Sequence, residues 1–72
     1  MSRLVRVSYR ALAAKLRRAG YVESRTSRHP VYYLAAKNIT IPVPRHAGDV
    51  PIGTLRAILR EADMTVEDFN GL

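Results

Sequence analysis

The apolar positions between residues 8 and 20 repeat with the spacing of an amphipathic helix. They stand three and four residues apart, which places them on one side of an α-helix, and they are Tyr9, Leu12, Ala13, Leu16 and Ala19. Ser8 stands just before them, where its hydroxyl can accept a hydrogen bond from a free first-turn N–H. Gly20 stands just after them, where a helix end uses left-handed backbone geometry. The pattern therefore predicts a helix between Ser8 and Gly20.

After this helix the apolar period changes to two, which predicts β-strands. The runs are residues 21–25, 31–35 and 39–43, and a turn signal at Lys37 and Asn38 separates the last two. Pro42 has no N–H to give to a strand ladder, so the third strand is expected at a sheet edge or to end near Pro42.

Two adjacent tyrosines, Tyr32 and Tyr33, lie in the second predicted strand. Neighbouring side chains of a strand point to opposite faces of the sheet. One tyrosine is therefore expected in the core. The other is free to stack on a base or to meet a partner protein. The alternation alone does not say which is which.

Helical spacing returns near the end of the chain, in a stripe formed by Leu55, Ile58, Leu59 and Ala62. Thr54 is the expected N-cap of this helix. Thr65, followed by acids, is expected to cap a last helical turn that returns Val66 and Phe69 to the core. The order predicts an α+β fold, α-β-β-β-α, with two helices on one face of a three-stranded antiparallel sheet.

Length and composition limit the class of protein. The 72 residues are expected to form a single domain, 1–72, with a thin core. Without cysteine there is no disulfide or cysteine-based zinc site, which fits the reducing cytoplasm. No apolar run approaches the ~18 residues of a membrane span. The first twenty residues lack the apolar stretch of a signal peptide.

Charge is distributed unevenly along the chain. Residues 1–48 carry ten lysines and arginines against one acid, Glu23, a formal charge of +9. Residues 49–72 carry two arginines against five acids, a formal charge of −3. A surface of this kind attracts polyanions. Net charge for solubility alone would not explain the segregation, so a polyanion such as nucleic acid is the expected partner.

Several motifs, in a fixed order from about Tyr9 to Phe69, resemble those of one known family. They are Leu16 with Ala19-Gly20-Tyr21, Ile41-Pro42-Val43-Pro44-Arg45-His46, Gly53-Thr54-Leu55-Arg56-Ala57-Ile58-Leu59-Arg60 and Thr65-Val66-Glu67-Asp68-Phe69. The family is the HicA-type (YcfA-like) toxins. The resemblance implies a double-stranded-RNA-binding-domain-like fold that acts as an mRNA interferase. It also implies a type II toxin–antitoxin system, in which a HicB-like antitoxin covers the active site.

The resemblance also implies a catalytic residue. The family's histidine usually stands in a Gly-Ser-His motif at the start of the second strand, and the matching place here reads Ser27-Arg28-His29. His29 matches the histidine, whereas Ser27 and Arg28 replace the glycine and the serine.

Histidine suits metal-free RNA cleavage. It titrates near neutrality, so it can take the proton of the 2′-OH or give one to the 5′-oxygen. Nearby arginines can stabilise the charge that grows on the phosphorane. The expected products are a 2′,3′-cyclic phosphate and a 5′-hydroxyl. No cofactor is expected. A metal site is not expected either, because two histidines without cysteine are a poor ligand set.

RNA binding is assigned to the basic side chains of the first helix and of the two loops. They are Arg10, Lys15, Arg17, Arg18, Arg25, Arg28, Arg45 and His46. The helix residues are expected to contact the backbone of A-form RNA, which proteins recognise mainly by shape and phosphate. His46 is expected to position its loop or to contact a phosphate. The plainer interpretation of the helix cations is a solvated surface.

Three other functions fit part of the pattern. The first is a non-catalytic RNA-binding module of the same fold, in which the altered histidine loop has lost catalysis. The second is a DNA-binding helix-turn-helix regulator, which the strand-rich middle of the chain argues against. The third is a ribosome-associated structural protein, with which the composition is compatible.

Overall fold

A computed structural model describes residues 3–24, 30–43 and 47–72 of the chain. The helices and strands within these residues are α1 (Tyr9–Arg18), β1 (Val22–Ser24), β2 (Val31–Leu34), β3 (Ile39–Pro42), α2 (Ile52–Glu61) and α3 (Val66–Asn70). The strands form an antiparallel sheet in the order β1-β2-β3. The predicted α+β class and element order are confirmed, and the expected last helical turn forms the short helix α3.

Helix α1 begins and ends where its sequence signals indicate. The Ser8 hydroxyl accepts a hydrogen bond from the Ala11 N–H at 3.0 Å, which satisfies one of the free donors of the first turn. After the helix, Gly20 has a φ of +102°. Its N–H donates to the Arg17 carbonyl at 3.0 Å, and the next N–H, of Tyr21, donates to the Leu16 carbonyl at 3.0 Å. The chain thus turns directly from α1 into β1.

The strand register decides which tyrosine lies in the core. Tyr32 pairs with Ile41 across β2 and β3, and both side chains are buried. Tyr33 lies between Val22 and Thr40 on the opposite face, where it is 39% exposed. Tyr32 is therefore the core residue, and Tyr33 belongs to the open face of the sheet. The edge position expected for the Pro42 strand is confirmed, because β3 pairs only with β2 among the described strands.

One apolar cluster joins both helical ends of the chain to the inner face of the sheet. Its buried members are Leu12, Leu16, Tyr21, Tyr32, Ile41, Val43, Val50, Leu55, Ile58, Leu59, Ala62 and Phe69. Helix α1 contacts β1 and helix α2 contacts β3, so the two helices lie over opposite edges of that face. Among the described residues no charged side chain is buried. Every described charge therefore lies at or near the surface.

The predicted N-cap of helix α2 is wrong. The helix begins at Ile52 with Pro51 as its cap, and no side chain caps it. The Pro51 carbonyl accepts the first helical hydrogen bond, from the Leu55 N–H at 2.9 Å. Proline pre-sets a φ near −65°, here −57°, so the chain turns into the helix three residues before Thr54. Thr54 consequently lies in the first turn with its side chain exposed.

The expected cap of the last helical turn is confirmed. The Thr65 hydroxyl accepts from the Asp68 N–H at 3.0 Å, and the Asp68 carboxylate accepts from the Thr65 N–H at 3.2 Å. This reciprocal pair is a capping box. It directs α3 back over the core, where Phe69 is 1% exposed and Val66 packs at the margin.

Replacing Gly20 by alanine should lower the free energy of unfolding by about 1 kcal/mol or more. A side chain at φ +102° is strained, and its Cβ would lie 3.2 Å from Leu34 Cδ1. Gly53→Ala is the control, because no atom lies within 4 Å of that Cβ and the residue is helical. Urea denaturation should show the control unchanged or more stable. Equal effects of the two substitutions would contradict the strain at Gly20.

Candidate nucleic-acid interface

Two of the four predicted cations of α1 point away from the core. Arg10 and Arg17 are both exposed. They stand seven residues apart, close to two full turns, so they lie on the same side of the helix. Arg17 Nη2 is 3.4 Å from the Glu23 carboxylate, with 56% of the Arg17 side chain exposed. A surface pair of this kind contributes about 0–1 kcal/mol, so a phosphate can replace the carboxylate at Arg17.

Lys15 makes contacts within the protein. Its Nζ donates to the Phe69 carbonyl at 3.0 Å and to the Leu72 main-chain oxygen at 3.2 Å. The same ammonium lies 4.9 Å from the centroid of the Phe69 ring. Helix α3 has no basic residue in its own last turn. Lys15 therefore supplies the positive charge and the donors that a helix C-terminus needs.

Arg18 is exposed like Arg10 and Arg17 but also reaches the end of the chain, as Lys15 does. Its Nη1 is 3.5 Å from the Leu72 main-chain oxygen, a long contact. The structure thus divides the predicted basic face of α1. Arg10 and Arg17 point to solvent, whereas Lys15 and Arg18 reach towards the end of α3.

The remaining predicted site residues lie outside the described residues. They are Arg25, Arg28 and His29, between β1 and β2, and Arg45 and His46, after β3. The residues where these two segments attach are described, however. The Val43 N–H donates to the Pro30 carbonyl at 3.1 Å, and Ser24 pairs with Val31. Pro30 directly follows His29, and Val43 precedes residues 44–46. The attachment points of both segments therefore lie at one end of the sheet.

A second group of cations was not predicted from the sequence. Arg3, Arg56 and Arg60 line a groove of about 510 Å³ together with Leu4 and Val66. Arg56 and Arg60 belong to residues 49–72, whose net charge is negative. The net charge of that stretch therefore gave no sign of a basic surface there. Their spacing of four residues, which places them on one side of α2, was the signal that could have found them.

A smaller cavity of about 220 Å³ lies elsewhere, beside Tyr21 and Asp63. The buried Tyr21 hydroxyl has no hydrogen-bond partner among the described residues. Burial raises the pKa of this phenol, and the Asp63 carboxylate raises it further. Tyr21 is therefore held as a neutral hydroxyl.

The described part of the chain contains neither a membrane-spanning helix nor a cluster of metal ligands. None of the helices there combines the length and apolar character needed to cross a membrane. In the same residues no three histidine, cysteine, aspartate or glutamate side chains come together as a possible metal site.

Comparison with known families decides the class of protein. Residues 9–64 match the family model described as HicA toxin of bacterial toxin-antitoxin. The chain belongs to the HicA toxin family. The match runs from the first residue of α1 to Met64, and so includes the sheet, α2 and both segments that join them. A HicA-family protein is the toxin of a toxin–antitoxin pair, which implies a HicB-type antitoxin as partner. A search of curated proteins finds no match.

Lys15→Met should lower the free energy of unfolding by about 1.5–3 kcal/mol, the range for hydrogen bonds to charged groups. Methionine keeps most of the apolar stem and removes only the ammonium that caps α3. Arg10→Gln is the control, and an exposed substitution of this kind should stay within about 0.5 kcal/mol. Thermal and urea unfolding would measure both. A Lys15 effect as small as the control would show that the ammonium is not needed at the end of α3.

Proposed function

We propose that this HicA-family toxin is an endoribonuclease, an mRNA interferase that cuts RNA without a metal and uses His29 as its acid–base residue. The observation that carries the proposal is the hydrogen bond between Val43 and Pro30. It joins the residue next to His29 to the strand end that leads to Arg45 and His46. The described neighbours of His29 and of Arg45 therefore lie at the same end of one sheet, which supports a shared site.

The chemistry requires only proton transfer and charge stabilisation. The 2′-oxygen of a ribose attacks the adjacent phosphorus and loses its proton to a base. The bond from phosphorus to the 5′-oxygen breaks, and that oxygen receives a proton from an acid. His29 serves in one of these two proton transfers, which typically contributes 10²–10⁴-fold. The products are a 2′,3′-cyclic phosphate and a 5′-hydroxyl.

Charge on the phosphorane needs cations close to it. Arg25, Arg28 and Arg45 are the proposed source, since a guanidinium presents paired donors to two phosphate oxygens. Arg28 occupies the place of the family's serine, so it adds a cation beside the histidine. His46 is proposed to contact a phosphate of the same strand.

RNA binding is proposed to begin on α1. Arg10 and Arg17 share one exposed side of that helix, where they can follow a phosphate backbone. The formal +9 of residues 1–48 supports this, because long-range attraction concentrates a polyanion at the surface. Lys15 contributes mainly by holding α3, and Arg18 can serve either purpose.

The proposed place of action is the cytoplasm, where mRNA is found in bacteria. The HicB-type antitoxin is proposed to cover the end of the sheet that carries His29, which would keep RNA out of the site. An acidic antitoxin surface would complement the arginines there. Binding of this kind should weaken as salt rises, because exposed charges are screened.

A non-catalytic RNA-binding module of the same fold is the second candidate. The observation that favours it is the departure at Ser27 and Arg28 from the family's Gly-Ser-His motif. This candidate keeps the basic surface and the antitoxin partner. It differs from the first in that the protein binds RNA without cutting it, so replacing His29 leaves binding unchanged.

Cleavage of a long unstructured RNA in excess chelator should be lost in His29→Ala, by at least about 10²-fold relative to the unmodified protein. The products should carry 2′,3′-cyclic phosphate ends, which phosphatase treatment and mass spectrometry distinguish from linear phosphates. Lys37→Gln is the control, because Lys37 lies in the turn between β2 and β3 and has no role in the proposed site.

The outcomes separate the two candidates. Equal cleavage by the unmodified protein and by His29→Ala would remove His29 as the catalyst. Binding without cleavage in both proteins would leave the non-catalytic module. Cleavage that the chelator abolishes would contradict the metal-free mechanism.

A further inference from the structure

The groove lined by Arg3, Arg56 and Arg60 concentrates positive charge on a part of the surface that the proposed site does not use. It has a volume of about 510 Å³, and its other lining residues are Leu4 and Val66. None of the residues that line it is acidic. No ion pair of these three arginines occurs within the described residues.

The backbone segments that carry the three arginines are anchored separately. Arg56 and Arg60 lie one turn apart on α2, which is anchored in the core by Leu55 and Ile58. Arg3 belongs to the segment before α1. Its carbonyl accepts a hydrogen bond from Asn70 Nδ2 at 3.0 Å, and the adjacent Leu4 packs against the core. Residues that are distant in sequence are therefore brought together by tertiary contacts.

Three neighbouring like charges repel one another, and this repulsion is relieved when an anion binds between them. Arginine suits an oxyanion better than lysine does, because its planar fork donates two parallel hydrogen bonds to a phosphate or carboxylate. The groove is thus complementary to a chain that carries several oxyanions in succession.

We propose that this groove is a second RNA-binding surface, which holds the phosphate backbone of the substrate beyond the cleaved bond. The inference rests on the proposed function in one respect, the identity of the polyanion as RNA. The groove's lining favours RNA over an acidic protein. Protein interfaces are built around an apolar and often aromatic centre, whereas the described lining of this groove includes two half-buried aliphatic side chains, Leu4 and Val66, and no aromatic one.

The test measures binding separately from cleavage. A fluorescent 20-nucleotide RNA with 2′-O-methyl groups keeps its phosphates and lacks the 2′-OH nucleophile, so it binds without being cut. Fluorescence anisotropy gives its Kd across a series of KCl concentrations, for the unmodified protein and for Arg3→Gln, Arg56→Gln and Arg60→Gln. Circular dichroism confirms that each variant is folded, which exposed positions should allow.

Each lost phosphate contact should lower the slope of log K against log salt by about 0.7, which weakens binding about fivefold at 0.1 M salt. Lys37→Gln is the matched control, because it removes the same charge from the turn between β2 and β3. Its slope should stay nearly unchanged. Equal losses in Lys37→Gln and Arg60→Gln would overturn the proposal, because net charge alone would then explain the binding.

Two further measurements identify the ligand and separate this proposal from the catalytic one. If the arginine variants lose affinity for a hexaglutamate peptide and keep their RNA slope, the groove is a protein-docking surface and the proposal is wrong. Reduced RNA slopes together with an absence of cleavage by the unmodified protein would support the groove and contradict the His29 mechanism. Cleavage that depends on His29, with unchanged slopes in all three variants, would support the mechanism and overturn the groove.

Discussion

Burial of a single apolar cluster between one sheet face and the helices is the constraint on which the rest of this structure depends. A chain of 72 residues can bury only about 60% of the surface that its unfolded form exposes. The cluster therefore draws on all three helices and on β2 and β3, and Tyr21 joins it just before β1. Because no described charge is buried, the cationic side chains are displayed around the core. The fold can thus carry a strong positive charge without desolvating it.

The short helix α3 shows how that constraint shapes the use of charge. Five residues are too few for a stable isolated helix, since most helical stability in proteins comes from packing. Helix α3 depends on burial of Phe69, on the capping box at its start and on Lys15 at its end. Lys15, a cation of α1, thereby stabilises the fold. The acidic end of the chain is held against the basic beginning.

Local patterns in the sequence predicted most of the fold. The cap at Ser8, the glycine turn after α1 and the capping box at Thr65 depend on residues within five positions of each other. Such contacts can be inferred from spacing alone. The start of α2 could not, because both Thr54 and Pro51 are acceptable starts and the backbone at Pro51 decides between them. Alternation separated Tyr32 from Tyr33 but could not assign the core face, which depends on where the helices pack.

The candidate site was less predictable, because charge alone does not say what a side chain contacts. Lys15 has the same sequence character as Arg10, yet its ammonium lies against α3, 54 residues further along the chain. Arg3 and Arg60 line the same groove, an arrangement that no local pattern contains. The role assigned to His29 came from family resemblance. The structure adds that Pro30, the residue after His29, is hydrogen-bonded to Val43.

The edges of the sheet have a consequence for self-association. Strand β1 is three residues long, and β3 ends in Pro42, which has no N–H to offer to a further strand. The outer face is apolar in part, with Val22 66% exposed and Tyr33 beside it. Such a face would favour aggregation if a long, regular edge accompanied it. Short and interrupted edges together with a net charge of +6 work against that outcome. The protein can therefore present an open sheet without forming extended β-assemblies with its own copies.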